Sequence, residues 1–132
     1  MLGRPTAAAV AGLLCLLLAA GCGGSGGDSG VDLASATPTA SLEITSRALK
    51  FDKRTLVAVA NTEISLRFVN DDAGVPHNVA VYTRRNGDKL FVGETFPGKA
   101  TVVYRFQSPP PGDYFFRCDV HPDTMTGTFA TR

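Results

Sequence analysis

The chain has only two histidines, and past residue 40 it has one cysteine and one methionine. His77 stands alone upstream, while Cys118, His121 and Met125 share one short loop. A thiolate, two imidazoles and a thioether are the donors that hold copper in a trigonal site with a weak axial sulfur, a site suited to passing single electrons. Soft sulfur suits Cu(I), imidazole suits Cu(II), and a compromise geometry leaves little to move when the charge changes.

Taken singly, each residue has an ordinary explanation. A lone cysteine often serves as a small buried hydrophobe and a methionine as core filler, and a histidine can be a satisfied loop residue. The conjunction argues otherwise, because Cys118-Asp119-Val120-His121-Pro122-Asp123-Thr124-Met125 is too short to scatter three soft side chains. Two other uses of the same atoms stand beside electron transfer. Zinc could take His77, Cys118 and His121 with Asp119 or Asp123 as a fourth ligand, although a thioether placed for the metal is then wasted. A copper carrier or scavenger without a redox partner would use the same four donors. No acid and base pair accompanies an open metal position, so no enzyme chemistry is expected.

The elements that must position these donors read as strands. Ile64, Leu66 and Phe68 alternate with Ser65 and Arg67 between Glu63 and Asn70, and Val102, Tyr104 and Phe106 alternate similarly between Thr101 and Gln107. Further strands are expected at 41–46, 49–51, 55–59, 77–83, 113–118 and 126–131, while 91–96 fits a strand, a loop or a helical turn. Turn signals separate them, among them Asp71-Asp72-Ala73-Gly74, Asn86-Gly87-Asp88 and Pro109-Pro110-Pro111-Gly112. Seven to eight short strands without a useful amphipathic helix favour an all-β sandwich. Parity puts Tyr114, Phe116 and Cys118 on one inward face, and His77 on the face of Val79 and Val81. The donors thus fall where strands meet loops at one end of the sandwich.

Residues 1–40 do not share this pattern. Arg4, an apolar run from Ala7 to Ala20 and small residues before Cys22 form an export signal. Leu18-Ala19-Ala20-Gly21-Cys22 resembles the lipobox of bacterial lipoproteins, with Ala19 where leucine is usual. Cleavage after residue 21 would make Cys22 the lipidated first residue, and two acyl chains suffice for stable anchoring. The Gly- and Ser-rich stretch 22–40 is expected to be a flexible tether with a reach on the order of 25 Å. The folded domain is placed at 41–132. Lys and Arg number 13 against 12 Asp and Glu, and cleavage removes only Arg4 among them, which leaves a near-neutral chain. That argues against a nucleic-acid partner. With Cys22 lipidated, Cys118 is the remaining thiol and no internal disulfide can form.

The segments Val75-Pro76-His77-Asn78-Val79 and Tyr114 to Gly127, with Cys118-Asp-Val-His121-Pro-Asp-Thr-Met125 inside the second, resemble the two halves of the copper motif of cupredoxins, chiefly of the plastocyanin and amicyanin type. The resemblance covers roughly Ser41 to Arg132. It implies an eight-stranded Greek-key β-sandwich, one copper ion, and one-electron transfer between a donor and an acceptor protein, either of which could sit in a membrane. His77, Cys118 and His121 would be the strong ligands and Met125 the long axial one. Asn78 matches an asparagine that ties the first histidine's segment to the cysteine loop. Three residues separate His121 from Met125, one more than in amicyanins and one fewer than in plastocyanins. A binuclear copper site would need a second loop cysteine where Pro122 stands, and multicopper oxidases need more histidines. The expected protein is a monomer, exported and either periplasmic or held by lipid to the outer face of the cell membrane.

Overall fold

The computed structural model describes residues 32–132. Among them are eleven β-strands and no helix: β1 (Ser41–Arg47), β2 (Lys50–Phe51), β3 (Thr55–Ala58), β4 (Glu63–Asn70), β5 (Pro76–His77), β6 (Ala80–Tyr82), β7 (Lys89–Val92), β8 (Phe96–Pro97), β9 (Ala100–Gln107), β10 (Gly112–Arg117) and β11 (Thr126–Thr131). They form a four-stranded sheet in the order β2-β1-β4-β9, a five-stranded sheet in the order β3-β11-β10-β6-β7, and a ribbon of β5 and β8. The chain crosses between the sheets after β4 and again after β9, so β10 lands between β11 and β6. This is an all-β sandwich with the crossing path of a Greek key.

Alternation becomes layering most clearly in β4. Its buried residues Ile64, Leu66, Phe68 and Asn70 point inward while Glu63 and Arg67 face water. Antiparallel pairing with β9 sets Leu66 opposite Tyr104 and Phe68 opposite Val102, which brings aromatic and branched side chains to the same face of the ladder. From the facing sheet come Leu56, Val81, Phe116 and Phe129, and Val79 joins them from the segment before β6, all buried in the same core. Phe68 packs edge-on against Phe96 at 5.4 Å, and Phe91 stacks on Phe106 at 4.0 Å. Each fully buried phenylalanine contributes roughly 2 kcal/mol or more through the apolar area it removes from water.

Two expectations differ from the structure, and one open alternative is resolved by it. The strand expected over 77–83 is broken: β5 pairs with β8, Asn78 and Val79 leave the ladder, and only β6 joins the second sheet. Residues 77–82 are buried without alternation, so both faces of this segment are occupied and period-two reasoning has nothing to read. The ambiguous run 91–96 becomes the ends of two strands, β7 and β8. These breaks raise the strand count above the expected seven or eight. Finally, the chain joins the domain before Ser41. Asp32 closes a turn by accepting from the N–H groups of Ser35 and Ala36 at 3.0 and 3.1 Å, and Thr39 bridges to Ala58 on the otherwise open edge of β3. The export signal, the lipobox and Cys22 lie outside the described residues.

Where β11 runs behind the loop that carries the candidate ligands, there is no room for a side chain on Gly127. A Cβ there would run into the Phe116 ring and lie 2.5 Å from the Arg54 carbonyl oxygen. Gly127→Ala should therefore destabilise the metal-free protein by about 1–3 kcal/mol, the usual cost of overpacking. Urea unfolding that shows an unchanged midpoint would mean that this layer yields more readily than its packing implies.

Candidate metal centre

The donors converge from two places. His77 ends β5, Cys118 follows the last residue of β10, and His121 and Met125 lie in the loop that returns to β11. The loop closes on itself: the Cys118 N–H donates to the Met125 carbonyl at 2.9 Å, and the Met125 N–H donates to the His121 carbonyl at 3.1 Å. Its inward side chains are withdrawn from water. His77, Cys118 and Met125 are 0% exposed, whereas His121 is half-buried.

Three donor atoms form a compact triangle. His77 Nδ1 lies 3.7 Å from Cys118 Sγ, His121 Nδ1 lies 3.9 Å from the same sulfur, and the two ring nitrogens are 3.1 Å apart. The point equidistant from the corners of such a triangle is about 2.1 Å from each, within the span of about 2.0–2.3 Å that a first-row divalent ion takes to nitrogen and sulfur. An ion of that size fits in the plane of the three atoms. A trigonal set of two nitrogens and one thiolate, with a buried thioether in the same loop, suits a type 1 copper site.

The side chains around the triangle hold it in place. The Asn78 Oδ1 accepts from the Asp119 N–H at 2.8 Å while its Nδ2 donates to the Gly93 carbonyl at 3.0 Å. Asn78, itself 1% exposed, therefore ties the segment after β5 to the residue after Cys118. Asp119 Oδ1 accepts from the Tyr82 hydroxyl at 2.6 Å and from Arg117 Nε at 2.8 Å, and the guanidinium lies 4.4 Å above the Tyr82 ring. Burial tends to raise the Asp119 pKa, but the bonds from Tyr82 and Arg117 outweigh it and hold the carboxyl below its ordinary range. Tyr82 is shifted upward by burial and by its bond to that carboxylate.

Such a committed carboxylate is not placed to ligate. Among the described residues, the group of His, Cys, Asp and Glu able to share an ion is His77, Cys118 and His121, without Asp119 or Asp123. The fourth ligand required by the zinc alternative is thus missing from the cluster. Asp72 also departs from expectation. It reads in sequence as one of two turn aspartates, yet its side chain is 13% exposed and its Oδ2 lies 2.8 Å from His77 Nε2. No periodic signal marks it, because a carboxylate in a polar turn looks the same in sequence whether it points outward or inward. The Arg117, Asp119 and Tyr82 group was equally hidden, since it forms across the outer face of two strands whose register the sequence does not supply.

A family model described as a cupredoxin-like domain matches residues 8–130. The chain belongs to the cupredoxin-like domain family. No curated protein sequence matches it. Among solved structures, it is similar to reduced auracyanin of Roseiflexus castenholzii, with 18% identity, a TM-score of 0.65, and coverage of 73% of this chain and 99% of that one. It is also similar to auracyanin A, a blue copper protein of Chloroflexus aurantiacus, at 23% identity and a TM-score of 0.63 over 73% of this chain and 100% of the other. Amicyanin of Paracoccus versutus matches at 23% identity and a TM-score of 0.53, over 75% of this chain and 88% of that chain. At these identities the likeness speaks for the sandwich.

Asn78→Ala would strip the Asp119 N–H and the Gly93 carbonyl of their partners in a dry region. Each group left unsatisfied costs about 1–3 kcal/mol, so the metal-free variant should lose about 2–6 kcal/mol. Urea unfolding is the measurement, and a loss smaller than about 0.5 kcal/mol would show that water or a shifted loop replaces the tie.

Proposed function

We propose that this chain is a type 1 copper protein that carries single electrons between redox partners outside the cytoplasm. The observation that carries this is the triangle of His77 Nδ1, Cys118 Sγ and His121 Nδ1, closed to metal-ligand dimensions and sealed from water on the His77 and Cys118 sides. His77, Cys118 and His121 would be the strong ligands and Met125 the axial one, with Asn78 holding their segments together. Copper, when bound, supplies a Cu(II)/Cu(I) couple. The protein's part is to present donors that suit both states and to keep them from rearranging, which lowers the reorganisation that accompanies electron transfer. A scavenger would need its metal to come and go. Three donors at 0% exposure favour retention instead.

Export and lipidation of Cys22 belong to this proposal on the sequence of the leader alone. Among the described residues no helix is long and apolar enough to cross a membrane. Two acyl chains on Cys22 would suffice for stable anchoring. The protein would act as a monomer.

His121 would be the port through which electrons leave, since it is half-buried while His77 is 0% exposed. The sequence around both histidines is uncharged over Ala73-Gly74-Val75-Pro76 and at Pro122, and Ala73, Gly74 and Pro76 are exposed. A near-neutral domain would dock there by shape and apolar contact, with the donor or acceptor protein opposite.

The visible spectrum of the copper-loaded, oxidised protein tests the site. An intense thiolate-to-copper band should be present in the wild type and absent in Cys118→Ser, whose circular dichroism should remain β-rich. A strong band that survives the substitution would remove Cys118 from the ligand set. Reversible voltammetry of the wild type then separates an electron carrier from a scavenger.

The docking face has its own test. Pro122→Glu should slow electron exchange with the physiological partner about tenfold or more while colour and potential stay nearly constant, because a charge buried at an apolar contact pays desolvation without a mate. Unchanged exchange would place the port on another face.

A further inference from the structure

We propose that Asp72 is a positioning residue for the metal centre: gripped by the backbone of the β1–β2 hairpin, it fixes the His77 ring with Nδ1 toward Cys118 and His121, and its charge favours the oxidised state of bound copper. The orientation half stands on the protein alone. The redox half rests on the copper function proposed above.

The grip is unusual in its chemistry. Arg47 pairs with Lys50, so β1 and β2 are joined by the two residues Ala48 and Leu49, whose φ angles are 51° and 58°. Left-handed backbone at both central positions is the geometry of the tight hairpin turns that normally use Asn and Gly. Neither residue here has that preference. What the conformation achieves is to aim two consecutive N–H groups at one carboxylate: Ala48 donates to Asp72 Oδ1 at 2.6 Å and Leu49 donates to Oδ2 at 3.1 Å. Adjacent amides converging on an anion form a concave donor pair, and non-glycine residues held at positive φ commonly mark a functional constraint.

The other side of the same carboxylate meets the histidine. Asp72 Oδ2 lies 2.8 Å from His77 Nε2, and because a carboxylate only accepts, Nε2 carries the hydrogen. In a neutral ring that leaves Nδ1 as a lone pair, directed toward the sulfur at 3.7 Å and the second ring at 3.1 Å. The Asp72 N–H also donates to Asn70 Oδ1 at 3.1 Å, and Asn70 Nδ2 donates to the Val75 and Phe96 carbonyls at 2.8 and 3.0 Å. The aspartate is therefore fixed at its backbone as well as its side chain. A metal-bound histidine whose other N–H meets a carboxylate is a more basic, better oriented ligand. An added negative charge next to the ring favours the divalent over the monovalent ion.

The test uses the full chain, Asp72→Asn and Asp72→Glu. Nitrogen-15 NMR of the metal-free wild type should show His77 as a single Nε2–H tautomer, which needs no variant and no copper; an Nδ1–H tautomer would overturn the orientation claim. Asp72→Asn keeps an acceptor of similar size and removes the charge. It should lower Cu(II) affinity at least tenfold more than Cu(I) affinity, which appears as a rise in reduction potential of 59 mV for each factor of ten. Asp72→Glu, which retains the charge, should stay closer to the wild type. A merely structural role would weaken both oxidation states equally, and a folded Asp72→Asn protein with the wild-type potential would overturn the redox half. Copper uptake by the wild type without a thiolate band would refute the electron-carrier function, leaving the tautomer measurement to decide the orientation claim by itself.

Discussion

The hydrogen bond from the Asp119 N–H to the Asn78 side chain, 2.8 Å long, joins the two parts of the chain on which the whole centre depends. One donor comes from a strand near the middle of the sequence and the others from the loop between the last two strands. Nothing local brings them together. Antiparallel pairing of β10 with β6, which sets Phe116 opposite Val81 and Arg117 opposite Ala80, delivers the two segments to the same end of the sandwich but stops short of the donors. Beyond the ladder, where Asn78 has left regular structure, a side-chain amide takes over the connection. Its two functions, one acceptor and one donor, are both used, so the joint is polar yet fully satisfied in a dry surrounding.

Dryness at this end of the fold creates a conflict that a metal resolves. Two imidazole nitrogens 3.1 Å apart with a sulfur nearby repel as lone pairs unless a proton or an ion lies among them. Packing holds them there regardless, since His77 and Cys118 are both fully buried and the cysteine continues the row of Tyr114 and Phe116. Core packing thus presents three ligand atoms to a common point. An ion bound there would couple metal affinity to the stability of the sandwich.

Much of this was legible from the residues. The strict alternation in β4 and β9 predicts their inner faces, because each covers the core on one side only, and the structure aligns them over their full length from Glu63 opposite Gln107 to Asn70 opposite Ala100. Strand parity also places Cys118 with Tyr114 and Phe116 on the inward side. Legibility fails where burial is two-sided or where the decisive group is small and polar. Residues 77–82 carry no alternation, so the break between β5 and β6 had no signature. Asp72 sits in a run of turn-forming residues, and its inward direction is decided by amides in the turn between β1 and β2, more than twenty positions away. Distant backbone donors leave no mark on the sequence of the residue they hold.

The two histidines are consequently unequal, although their ring nitrogens sit almost symmetrically about the sulfur at 3.7 and 3.9 Å. His77 is held from behind by a carboxylate that three donors share, and it lies in the core without access to water. His121 rides on a loop closed by backbone bonds and is half-buried. A centre that must keep its geometry while an electron passes needs one ligand anchored to the scaffold, and one that must exchange that electron with another protein needs a ligand near the surface. A single symmetric environment could not supply both. On the function proposed above, splitting the tasks between a histidine on a strand and a histidine on a loop would let the same small sandwich be rigid at the metal and accessible at its edge.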